Sequence, residues 1–142
     1  MHDSSQPTAE LCINDERMIR KVLLAYATGI DQRDWALFQS CFTADCVADY
    51  GSFGTWNGAD EITAYMKEAH ASLGKTLHRI TNIVIWPNAD GAQARCYVDA
   101  LLCPQKADQP VHRGIGLYED QLVRSGNGWQ IERRQFHEIL VD

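Results

Sequence analysis

Four β-rich stretches, "LHRITNIVIWP", "AQARCYVDALLC", "VHRGIGLYEDQLVR" and "GWQIERRQFHEILV", run through the second half of the chain, separated by "NADG", "PQKADQP" and "SGNG". Short connections rich in turn-forming residues join neighbouring antiparallel strands, so the C-terminal half must be a sheet of successive long strands. Such a sheet has to bury a face, and the first half supplies the cover. Asn14, followed by Asp15 and Glu16, reads as a helix start. From there Ile19, Val22, Leu23, Tyr26 and Ile30 recur with helical spacing to about residue 30. Asp34 opens a short second helix carrying Trp35, Leu37, Phe38 and Phe42, and "TADCVADYGSFGTW" reads as a strand with glycine-rich turns. Asn57 is placed to cap a third helix with Ile62, Tyr65, Met66 and Ala69 on its apolar face. Helices followed by strands predict an α+β domain, a curved antiparallel sheet with three helices packed across its concave face.

The 142 residues suit one domain, since a chain of this length buries about two-thirds of its unfolded surface. Residues 1–12, polar and without periodicity, read as a flexible N-terminal arm, and residues 13–142 as the single folded domain. No apolar run approaches the roughly 20 residues that span a bilayer, which argues against a membrane partner. A net charge of −6 with no basic run argues against nucleic acid. Cys12, Cys41, Cys46, Cys96 and Cys103 are odd in number, lack paired spacing and follow no cationic apolar leader. They read as reduced thiols of a cytoplasmic protein.

Two residues stand out chemically. Asp31 falls at the edge of the first helix's apolar stripe, one turn beyond Ala27. His78 begins a strand whose period-two pattern places His78, Ile80, Asn82, Val84 and Trp86 on one face. A histidine held by a carboxylate makes a general base, because the carboxylate fixes the tautomer and stabilises the imidazolium. Spacing leaves two readings open, a base dyad or a structural histidine beside a helix-end carboxylate. Tyr26, Trp56, Trp86 and Trp129 read either as pocket wall or as core. The same alternation puts Arg113 with Ile115 and Leu117, and His137 with Trp129, Ile131 and Ile139, each as a candidate binding residue or a strand-end polar group. No phosphate-binding glycine motif and no metal-ligand spacing is present, so neither a metal nor another cofactor is expected.

"YATGIDQRDW", with "ADYGSFGTW" following it and "LHRITN" 45 residues later, resembles the SnoaL-like branch of the nuclear transport factor 2-like superfamily over roughly residues 12 to 140. Within it the likeness is to scytalone dehydratase and the related dehydrochlorinases and bile-acid dehydratases. The resemblance implies a cone-shaped, cystatin-like α+β barrel around a deep pocket, with Asp31 and His78 as the base dyad and Tyr50 beside the substrate carbonyl. It places His137 where the dehydrochlorinases carry a polar pocket residue. The likeness has gaps. Ile30 stands where scytalone dehydratase has a tyrosine, and its second histidine, serine and asparagine fall near Cys103, Arg113 and Ile115. The implied activity is a cofactor-independent lyase, a dehydratase or dehydrohalogenase acting on a small apolar cyclic or polyketide-like substrate. The alternatives are an isomerase using the same dyad and a non-catalytic ligand-binding or assembly module of the same fold. The family also implies homodimers or homotrimers built through the sheet.

Overall fold

The computed structural model of the protein describes residues 10–142, so most of the expected N-terminal arm lies outside the described residues. Helix α1 (Ile13–Asp31) is capped by Cys12 and not by Asn14. The Cys12 thiol accepts from the Asp15 N–H at 3.4 Å, and the Asp15 carboxylate accepts from the Cys12 N–H at 3.2 Å. This reciprocal box satisfies two helix-end donors. Arg124 and the Trp129 indole fix the same carboxylate from the sheet. Ile19, Leu23, Tyr26 and Ile30 form the fully buried face of α1. Helix α2 (Trp35–Ser40) starts at its Asp34 cap as the sequence predicts. Gly29 lets the two helices meet: a Cβ there would lie 2.9 Å from the Phe38 backbone nitrogen.

Strand β1 (Phe42–Asp49), a 3₁₀ turn at Gly51–Phe53 and strand β2 (Thr55–Asn57) lead into helix α3 (Ala59–His70). Its cap is Gly58 at φ 94°, while the Asn57 N–H is bonded by Glu61. Four long strands follow: β3 (Leu73–Asn88), β4 (Gly91–Pro104), β5 (His112–Ser125) and β6 (Gly128–Val141). They form one curved sheet in the order β2-β1-β6-β5-β4-β3, antiparallel except where β1 runs parallel to β6. The fold is the expected α+β arrangement of three helices and a curved mixed sheet. The sheet is open and not a closed barrel, because the three-residue β2 and the long β3 end it as unpaired edges. Among the described residues no helix is long and apolar enough to cross a membrane.

Irregularities in two strands decide which side chains face the helices. In β3 the register moves from Thr81↔Tyr97 to Val84↔Arg95, so three residues span what two span on β4. Asn82 absorbs the extra residue at φ 54°, a left-handed conformation that asparagine tolerates. Inward positions run Thr76, His78, Ile80 before the bulge and Ile83, Ile85, Pro87 after it. Asn82, Val84 and Trp86 therefore face outward, contrary to the unbroken alternation. Strand β6 has an extra residue at Glu132, between Ile131↔Leu122 and Arg133↔Gln121. Its inward set changes from Trp129 and Ile131 to Arg134 and Phe136, and His137 is turned out.

The inward side chains then fall into rows across the sheet. His78 pairs with Ala100, and Ala100 with Gly114. The next row is Ile80, Val98 and Gly116. These rows hold small residues opposite the helices and leave space. Deeper rows bring Tyr118 beside Phe136 and Asp120 beside Arg134, ending on Leu122 and Ile131 in the packed core.

Candidate active site

The space left by the small rows is a cavity of about 360 Å³, at the lower end of the range for small-molecule pockets. His78 lines it as the third inward position on β3's even-numbered face, counting from Gly74, and Asp31, the last residue of α1, stands behind His78. They meet. The Asp31 Oδ1 lies 2.7 Å from the His78 Nδ1, and Oδ2 accepts the His78 backbone N–H at 2.8 Å. Thr76 donates its hydroxyl to Oδ1 at 2.9 Å. Arg33, in the left-handed turn after α1, bonds the Thr76 hydroxyl and the carbonyls of Ile30 and Gly74, tying the helix end to the strand start.

Burial alone would raise the Asp31 pKa, but the hydrogen bonds from the His78 ring and backbone and from Thr76 hold it below the ordinary carboxylate value. An ionised carboxylate only accepts, so Nδ1 of His78 carries a proton, and in the neutral ring the lone pair is on Nε2. The histidine side chain is 8% exposed and lines the cavity; the Asp31 side chain is 20% exposed.

Tyr26, Tyr50 and Tyr118 stand together on the cavity wall. Their hydroxyls are in contact, Tyr26 with Tyr50 at 2.6 Å and Tyr26 with Tyr118 at 3.2 Å. Burial pushes all three phenols well above their ordinary pKa, so each keeps its proton. Three O–H groups share two mutual contacts, which leaves one O–H to donate elsewhere. Beneath them lies a fully buried ion pair: Arg134 donates Nε and Nη2 to Asp120 at 2.7 and 2.8 Å. The guanidinium sits 4.1 Å from the Tyr26 ring centroid and 3.8 Å from that of Tyr118.

The other sequence candidates separate cleanly. Trp56 stacks on Tyr65 at 3.8 Å between centroids and backs the wall from behind. Arg113 projects from the outer face of β5, half exposed, and is bonded to Asp142 at the cavity mouth. Trp86 bonds Gln93 on the outer face, and His137 lies near Glu119 on that same face, so neither reaches the cavity. Trp129 is spent at the far end on Asp15. Sequence reasoning missed Tyr118, His70, Thr76, Arg33 and the Asp120–Arg134 pair. His70 had a signal, since Ile62, Met66 and His70 repeat every four residues along one helix face. Among the described residues no group of three or more His, Cys, Asp or Glu is placed to hold a metal ion.

With the arrangement described, its class follows: the SnoaL-like domain model matches residues 12–135, and the chain belongs to that family. Its cystatin-like order of elements is shared by solved structures. A scytalone dehydratase-like protein from Novosphingobium aromaticivorans superposes with a TM-score of 0.82 at 21% identity, over 92% of this chain and 87% of that one. The hexachlorocyclohexane dehydrochlorinase LinA type 3 from Novosphingobium barchaimii LL02 gives 0.80 at 15% identity, over 92% and 90%. An uncharacterised protein of Mycobacterium tuberculosis H37Rv is 27% identical over 125 residues, 86% of this chain and 84% of that one.

Proposed function

We propose that the protein is a cofactor-independent lyase that removes a proton from carbon next to a carbonyl in a small cyclic substrate. The observation that carries this reading is the His78 ring on the wall of a largely apolar cavity, with one nitrogen held by Asp31 at 2.7 Å. His78 Nε2 takes the proton, and Asp31 fixes the ring and stabilises the imidazolium. The spare O–H of the tyrosine cluster, assigned to Tyr50, donates to the carbonyl oxygen as negative charge develops there. In a dehydration the imidazolium returns the proton to the departing hydroxyl. One C–H and one C–O bond break, a C=C bond forms and water leaves. In a dehydrohalogenation the halide leaves as an anion and the proton passes from His78 to solvent. The likeness to the scytalone dehydratase-like and dehydrochlorinase structures supports a lyase over a simple carrier.

Proton abstraction is testable before the substrate is known. With alpha-tetralone in D₂O, the protein is expected to accelerate hydrogen exchange beside the carbonyl, followed by proton NMR. His78→Ala and Asp31→Asn should each lose most of the roughly 10²–10⁴-fold that a positioned base supplies, with the fold intact by circular dichroism. Folded variants that exchange as fast as the wild-type protein would refute the assignment.

A further inference from the structure

We propose that His70 is a positioning residue for His78: its uncharged ring, held in one tautomer, supports the imidazolium that proton abstraction creates and so sets the strength of the base. This deepens the reading above and rests on it for the role of His78. His70 is the last residue of α3, on the face that carries Ile62 and Met66 into the core, and is 7% exposed. Its Nδ1 lies 2.8 Å from the Met66 carbonyl oxygen. A carbonyl can only accept, so Nδ1 carries a proton, and in the neutral ring the lone pair is on Nε2. The ring lines the same cavity as His78, with 5.6 Å between the two centroids and 48° between the ring planes.

A base that gains a positive charge inside a cavity needs compensation from more than one side. Asp31 supplies it at Nδ1 of His78. Phe53, Met66, Leu73, Val98 and Leu102 on the cavity wall supply none, and a cation desolvated among such side chains is costly. His70 puts a polar ring on that wall beside the base. A neutral imidazole is a dipole whose negative end is the lone-pair nitrogen, and here the positive end is taken by the Met66 carbonyl. The support lasts only while His70 stays uncharged, because a second imidazolium at this distance would repel the first. The surroundings of the ring keep it so. Burial acts most strongly, the Met66 carbonyl opposes it, and His78 from β3 and Arg33 from the turn outweigh Asp31 from α1, so the pKa falls to about 4. Lys67 and Glu68, on the same helix, are exposed. At neutral pH His70 therefore does not compete with His78 for the abstracted proton. A merely structural histidine at the end of α3 would affect stability or KM and leave the pH dependence of the base unmoved.

The test is the pH dependence of alpha-tetralone exchange in the wild-type protein, His70→Leu and His70→Gln, with the His78 ring followed by NMR in the ligand-free proteins. Leucine keeps most of the bulk and removes the dipole. The acid limb of His70→Leu should move to lower pH by about half a unit to one unit, the size of one net neutral hydrogen bond. Its plateau rate should fall about threefold, because a weaker base abstracts more slowly. His70→Gln, whose amide oxygen can accept again, should recover most of both. The NMR titration of His78 in ligand-free His70→Leu should move in step with the acid limb. That measurement needs no turnover and separates the two readings. Exchange that survives in His78→Ala refutes the base, whereas an unchanged His78 titration in His70→Leu refutes His70's role with the base intact. Nitrogen NMR of the wild-type imidazoles gives a further measurement if the leucine variant fails to fold. The His70 Nε2 resonance should move as His78 takes up its proton, while His70 Nδ1 stays protonated and the ring neutral. An acid limb unmoved in His70→Leu, equal shifts in the leucine and glutamine variants, or a His70 Nε2 resonance indifferent to the charge on His78 would overturn the proposal.

Discussion

His70 also makes a prediction about stability that needs no ligand. Its pKa falls from 6.5 to about 4 in the folded protein, chiefly because burial penalises the imidazolium, with His78 and Arg33 adding repulsion and Met66 and Asp31 opposing. A depressed histidine pKa means that between these values the unfolded chain binds more protons than the folded one. Stability is therefore full above about pH 6.5, falls as the pH drops through the window, and levels off below about pH 4. Over the whole window the loss is about 3 kcal/mol, and at about pH 4.5 most of it has occurred. Substitution by leucine removes the titrating group and suits the neighbouring Met66 and Trp35. Urea unfolding of both proteins, at several values from about pH 7.5 to pH 4.5, measures the difference. The carboxylates common to both cancel, and Asp31, with its lowered pKa, titrates mainly below this window. The wild-type protein should lose about 2–3 kcal/mol more than His70→Leu over that range. Parallel curves would refute the burial of a neutral imidazole and, with it, the fixed acceptor tautomer.

Removing one member of the buried Asp120–Arg134 pair, as in Arg134→Met, should cost about 3–5 kcal/mol in urea unfolding because it strands a charge, while Arg134→Met with Asp120→Leu should recover much of it. A single variant as stable as the wild-type protein would contradict the pairing. Tyr50→Phe deletes the hydroxyl 2.6 Å from that of Tyr26 and should slow exchange on alpha-tetralone by about 10²-fold with little change in ketone affinity. Unchanged exchange would move the spare donor to Tyr118 or Tyr26.

The pairing of Asp31 with His78 came from the resemblance, because spacing left it open; local rules gave only the place of each residue on its own element. Asp31 continues the buried helical face of α1, and His78 lies on the regular part of β3, ahead of the bulge. Trp86 and His137 were misplaced for one reason: each lies beyond an extra residue that reverses the alternation, at Asn82 and at Glu132. Composition hardly marks such a bulge, and the left-handed asparagine is its one trace. Asp120 and Arg134 look like solvated charges in a strand of mixed polarity. Only the shifted register of β6 makes them cross-strand neighbours facing inward. The cone-shaped curved sheet came from the resemblance and from the order of elements, and this chain's short β2 leaves that sheet open at one edge.

The bulge in β6 does more than turn His137 away. Without the extra residue at Glu132, the side of the strand that carries Trp129 and Ile131 would continue through Arg133, Gln135 and His137. Arg134 and Phe136 would then point to the outer face. The tyrosines would lose the cation against their rings. That cation matters because two opposing influences act on the phenols: burial keeps them protonated, while the Arg134 charge pulls each pKa back down. A phenol that stays neutral but is drawn towards ionisation is a stronger donor to a developing oxyanion than one buried among aliphatics. Asp120 makes the burial tolerable by neutralising the guanidinium through Nε and Nη2, and it leaves the guanidinium stacked on the rings. One inserted residue thus links the sheet's register to the polarity of the cavity, where the tyrosine wall backed by Arg134 stands with the His78 and His70 rings.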